Sequence, residues 1–75
     1  MKGYHMTISE FIKLRLKEIG LTQSELANKL GISKQNMNNK LSRDNFSSME
    51  LCQIAEILNV EFIFKNETTE YKIKY

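Results

Sequence analysis

The chain has no proline and no tryptophan, one cysteine, one histidine and only three glycines among its 75 residues. Each scarcity excludes something. Without proline or a glycine-rich tract there is neither a polyproline segment nor a flexible linker. The lone Cys52 excludes an internal disulfide, and no cysteine spacing suggests zinc. A reducing cytosol fits, so a cytoplasmic location is expected. Cys52 neighbours the inward-facing Leu51 and reads as packed rather than reactive. His5 stands alone, the acids are dispersed, and no glycine-rich phosphate loop occurs. No catalytic residue, metal site or cofactor is therefore expected, and the chain does not read as an enzyme. No apolar run approaches a membrane span and the N-terminus lacks a signal-peptide core, so no membrane partner is expected either.

What remains is a small domain, with 41% hydrophobic residues, near the size at which one core only just stabilises a fold. Met6 offers a second start, so residues 1–6 read as a leader or tag-like segment. The formal charge of +2 hides an asymmetry: residues 1–21 carry +2, residues 22–43 carry +3 and residues 44–75 carry −3. A positive front and a negative back suit approach to a polyanion from one side.

Hydrophobic spacing predicts four helices. From Thr7, Ile8, Phe11, Ile12, Leu16 and Ile19 form an inner stripe, with Thr7 or Ser9 as N-cap and Gly20 as stop. Thr22 with Glu25 forms a capping box ahead of Leu26, Ala27 and Leu30, which Gly31 ends. Ser33 caps a third helix with Met37 and Leu41 inward. Ser47 with Glu50 opens a fourth, lined by Leu51, Ile54, Ala55 and Leu58. After Asn59 the period becomes two, around the polar turn Asn66 to Thr69, which predicts a hairpin. The expected architecture is mainly α: a four-helix domain over residues 7–59, then a C-terminal β-strand pair or hairpin over residues 60–75.

Gln35, Asn36, Asn38 and Asn39 crowd four carboxamides onto the third helix, although Asn is a mediocre helix former. The helix contains no acid. The preceding corner is also specific, with Ala27 small where a second helix would cross, Gly31 free to take positive φ, and Ile32 and Met37 filling the angle. With Gln23, these residues match a helix-turn-helix whose second helix enters the major groove.

"GLTQSELANKLGIS", a polar helix and then "MELCQIAEILNV" resemble the phage Cro and lambda-repressor-like helix-turn-helix family, the XRE-type regulators. The resemblance runs from about Ile8 to Val60. It implies a four- or five-helix domain that binds double-stranded DNA as a homodimer, regulates transcription, acts here as a repressor on a pseudo-palindromic operator, and has no enzymatic activity. Its base-reading positions map onto Lys34, Gln35 and Asn39, with Asn38 adjacent. Gln and Asn can pair bidentately with adenine, and Lys with guanine or a phosphate. Its phosphate contacts map onto Gln23, Ser33, Lys40, Arg43 and Asn45, although a plain cap and a plain turn residue account equally well for Ser33 and Asn45. Many members also pair an Arg of the first helix with a Glu of the recognition helix. The matching Leu16 and Leu41 imply a hydrophobic contact in its place. Lys40 occupies a commonly apolar position, which implies a small rotation of the recognition helix.

For the tail, Phe62, Phe64, Tyr71, Ile73 and Tyr75 are expected to cover one sheet face and dimerise, with Lys72 and Lys74 outward. The competing function is a protein-interaction module on the same scaffold, such as an antitoxin or anti-repressor, gripping its partner through unpaired strands. No small-molecule ligand or pocket is expected in so short a chain.

Overall fold

The computed structural model describes residue 3 and residues 5–75; of the expected leader, residues 1, 2 and 4 lie outside the described residues. The elements are α1 (Ile8–Ile19), α2 (Gln23–Leu30), α3 (Lys34–Arg43), α4 (Ser48–Leu58), β1 (Ile63–Lys65) and β2 (Glu70–Lys72). The chain is mainly α with a C-terminal two-stranded antiparallel hairpin. No described helix is long and apolar enough to cross a membrane.

Local chemistry sets the helix ends. Thr7, Thr22, Ser33 and Ser47 are the N-caps, each accepting a backbone N–H at the third helical residue. In α1, α2 and α4 that third residue is Glu10, Glu25 or Glu50, whose carboxylate accepts the cap's own N–H and completes a capping box. All four helices end on a left-handed residue: Gly20, Gly31, Asp44 and Asn59. Beyond each, the next N–H returns to a carbonyl of the last turn, as from Ile32 to Ala27 and from Asn45 to Lys40.

The chain forms two compact units, Met1–Asn45 and Phe46–Tyr75. In the first, Ile12, Leu16, Leu26, Ala27, Met37 and Leu41 are buried, and full burial of such a side chain is worth roughly 1.5–3 kcal/mol. Leu16 and Leu41 are each only 4% exposed. Lys40 is half-buried without displacing Met37 or Leu41 from the core. The ends of the α1 stripe are looser than its spacing predicts, for Ile8 and Ile19 are exposed and Phe11 is half-buried. Thr7 is the cap of α1. Ser9 lies inside the helix, buried at 6% exposure.

In the second unit Ile54, Ala55 and Leu58 are buried and Leu51 is half-buried. Asn66 shapes the hairpin turn by accepting the N–H groups of Thr68 and Thr69 on its side-chain oxygen. The strands are shorter than the alternation suggests, with Ile63 opposite Lys72, Phe64 opposite Tyr71 and Lys65 opposite Glu70. Ile73 and Tyr75 lie beyond β2. Ile73 still donates to the Phe62 carbonyl at 2.8 Å, and the Tyr75 hydroxyl meets Ser48 Oγ at 2.9 Å. Cys52 is half-buried, and its thiol donates to the Ile73 carbonyl at 3.4 Å.

The Thr7 and Thr22 N–H groups, reinforced by their hydroxyls, hold the carboxyls of Glu10 and Glu25 below the usual Glu range. Each lowered value means that the folded protein binds fewer protons than the unfolded chain within the window between the two pKa values. The stabilisation is complete above the ordinary Glu pKa and lost as pH falls through the lower folded value. The thermal midpoint is expected to fall across that window. The Glu10→Gln, Glu25→Gln double variant keeps an amide oxygen for each N–H and should flatten the decline. An equally steep decline in the double variant would place the acid sensitivity elsewhere.

Candidate nucleic-acid interface

α2 and α3 pack directly against each other across the Gly31–Ser33 connection. Met37 and Leu41 anchor α3 inward, which leaves Lys34, Gln35, Asn36, Asn38, Asn39, Ser42 and Arg43 exposed. At about 100° per residue, Gln35, Asn38, Asn39 and Ser42 share an arc of roughly 100°, with Arg43 at its margin. Asn39 stands about opposite the midpoint of the buried pair, and Asn38 lies toward Lys34 on the same arc. The geometry accommodates both.

Among the described residues, the four carboxamides make no hydrogen bond to another protein group through their side chains. Their donors and acceptors are thus uncommitted, those of Gln35, Asn38 and Asn39 on one face and those of Asn36 beside it. Ser42 differs: its hydroxyl donates back to the Asn38 carbonyl at 2.9 Å and is spent within the helix.

The candidate phosphate residues flank this arc. Gln23 is the first residue of α2 and half-buried; Ser33 caps α3, its oxygen accepting the Asn36 N–H at 3.0 Å. Lys40 and Arg43 lie in the last turn of α3, and Asn45 follows the left-handed Asp44. α3 has no acid in its first turn, where each other helix has a Glu. Its amide-rich end therefore keeps the full positive dipole of a helix N-terminus.

The hydrophobic period missed one pair of residues. Ser9 N–H donates to Asp44 Oδ1 at 2.8 Å, and Ser9 Oγ lies 2.8 Å from that oxygen and 2.7 Å from the Leu41 carbonyl. A signal was present, since Ser9, Ile12 and Leu16 recur at helical spacing on one face.

In the second unit the register brings Phe62, Phe64, Tyr71 and Ile73 onto one face, with the two Phe ring centroids 5.7 Å apart. Phe62 and Ile73 are half-buried, whereas Phe64, Tyr71 and Tyr75 are 61%, 55% and 75% exposed. On the other face Lys72 Nζ reaches Glu61 at 2.6 Å, which lowers the Glu61 pKa and raises that of Lys72. Both are exposed, so the pair adds little stability. An open groove of about 480 Å³ lies between α4 and the hairpin. Met49, Cys52, Val60, Phe62 and Ile73 line it, with mixed charges among them. Among the described residues no cluster of His, Cys, Asp or Glu could hold a metal ion.

Comparison with curated proteins and with solved structures finds no match. A family model described as "Domain of unknown function (DUF6471)" matches residues 4–63, which span all four helices and the first residue of β1. The chain belongs to that family.

Proposed function

We propose that the chain is a sequence-specific DNA-binding transcriptional regulator that lays α3 in the major groove and acts as a homodimeric repressor, as its resemblance to the Cro and lambda-repressor-like domains implies. The observation that carries this reading is the exposed, acid-free face of α3 with its uncommitted carboxamides. Gln35 and Asn39 with Asn38 read adenine edges, and Lys34 reads guanine or touches a phosphate. Gln23, Ser33, Lys40, Arg43 and Asn45 hold the sugar-phosphate chain. Duplexes selected from a random library supply the test, since the reading requires one sequence to be preferred, whereas a purely protein-binding module prefers none at any salt.

On a selected duplex, Gln35→Ala and Asn39→Ala are each expected to weaken binding by roughly 1–3 kcal/mol and relax preference at one base pair. Arg43→Ala should weaken binding to every duplex and lower the salt slope by about one unit. Uniform weakening by the amide variants would remove them from base reading, and an unchanged slope would remove Arg43 from the phosphate set.

Asn36 gives a test of opposite signs. Asn36→Glu completes the fourth capping box and should raise stability by about 0.5–1 kcal/mol. The same carboxylate would face DNA, so affinity should fall on all duplexes. Calorimetry and gel shift measure the two effects; unchanged affinity would argue that the start of α3 lies away from the phosphates.

Dimerisation is proposed through β2, whose residues are all exposed. The pairs 62–73 and 66–69 are hydrogen-bonded, so Glu70 and Lys72 turn their backbone groups to the free edge. Antiparallel pairing of two copies centred on Tyr71 sets Glu70 opposite Lys72 of the second copy, twice by symmetry. Glu70→Lys or Lys72→Glu alone should weaken the dimer about tenfold, and an equimolar mixture of the two should associate as tightly as the unaltered protein. Sedimentation equilibrium reads this, and a mixture no tighter than its components would move the interface off β2. A protein that dimerises or captures another chain by this edge yet shows no DNA preference would favour the interaction-module reading.

A further inference from the structure

The structure assigns Asp44 a positioning role: its carboxylate, held by Ser9, pins the C-terminal end of α3 to the first turn of α1 and so sets the angle at which the carboxamides are presented. This rests on the DNA reading above. The N-terminal end of α3 is already fixed by the corner at Gly31. At the other end the chain leaves the helix through Asp44, at φ 52°, and among the described residues its side-chain hydrogen bonds to another helix are those with Ser9.

Ser9 is suited to the task. It is the second residue of α1, so its N–H has no carbonyl partner within the helix, and Asp44 Oδ1 supplies one at 2.8 Å. Its single hydroxyl proton is shared between Asp44 Oδ1 and the Leu41 carbonyl, both acceptors within 2.8 Å. The Leu41 carbonyl also accepts the Asp44 N–H, so side chain and backbone of one turn meet at Ser9.

The clamp also occupies a carboxylate that stands between Arg43 and Asn45 in the phosphate-contacting set. Left free, that charge would oppose the phosphate chain. Bound by the Ser9 N–H in the first turn of α1, it is held by a helix N-terminus, where the Glu10 carboxylate also faces it.

Two substitutions separate positioning from charge and from capping. Asp44→Gly keeps the left-handed cap at lower conformational cost, but removes both the charge and the clamp. Asp44→Asn removes the same charge, tolerates the same φ, and keeps an oxygen for Ser9. Both should bind unselected duplex at least as well as the unaltered protein. Asp44→Gly should lose about tenfold of the preference for the selected duplex, since both hydrogen bonds from Ser9 go, while Asp44→Asn keeps most of it. Equal preference in the two variants overturns the inference. If the unaltered protein prefers no sequence, the DNA reading fails, and amide exchange in residues 40–43 decides the clamp by itself. Faster exchange in the Gly variant than in the Asn variant retains Asp44 as the anchor of α3, and equal rates overturn it.

Discussion

Gly31 holds its backbone at φ 74°, so its own N–H reaches the carbonyls of Ala27 and Asn28 while the Ile32 N–H returns to Ala27. A side chain at Gly31 would meet no atom within 4 Å, so the dihedral, not space, demands glycine. Beneath the corner Ala27 is buried, and a larger residue there would force α2 and α3 apart. The direction of α3 follows from this turn. That direction decides that Met37 and Leu41 face the core, and therefore which side chains of α3 remain outside.

The four helices share one scheme for their ends and differ at one position. Glu10, Glu25 and Glu50 complete a reciprocal pair with the cap, while Asn36 does not. A capping box is worth a fraction of a kcal/mol to about one, so its omission from α3 gives up modest stability. What α3 retains is a helix start without negative charge, beside uncommitted amides. The arrangement leaves the positive end of the α3 dipole uncompensated by a carboxylate of its own first turn.

Most of the fold was legible because its punctuation is local. Thr22 with Glu25 and Ser47 with Glu50 marked two helix starts, and Gly20 and Gly31 marked two ends. The change of period after Asn59 separated helix from hairpin. The misses share a cause: they depend on contacts distant in sequence or on residues used against type. Asp44 in the left-handed region is uncommon for a non-glycine residue, so nothing flagged it as a cap. A buried Ser9 looks like surface until Asp44 and Leu41 arrive to bond it. Strand length depends on how the hairpin lies against its own unit, which alternation does not encode. For the candidate site, the residue types were legible and so was their exposure, because Met37 and Leu41 fix the phase of the helix. The clamp that holds its far end was not.

The capping boxes close contacts between residues three apart, whereas Ser9 and Asp44 are separated by 35 positions. By loop-closure entropy the longer contact costs roughly 2 kcal/mol more to bring together. The helix ends can therefore organise early, and the Ser9–Asp44 contact is expected to form after them. Weakening a late contact leaves the folding rate nearly unchanged and speeds unfolding. Loss of the Asp44 carboxylate is thus expected to shorten the lifetime of the first unit more than it slows its formation.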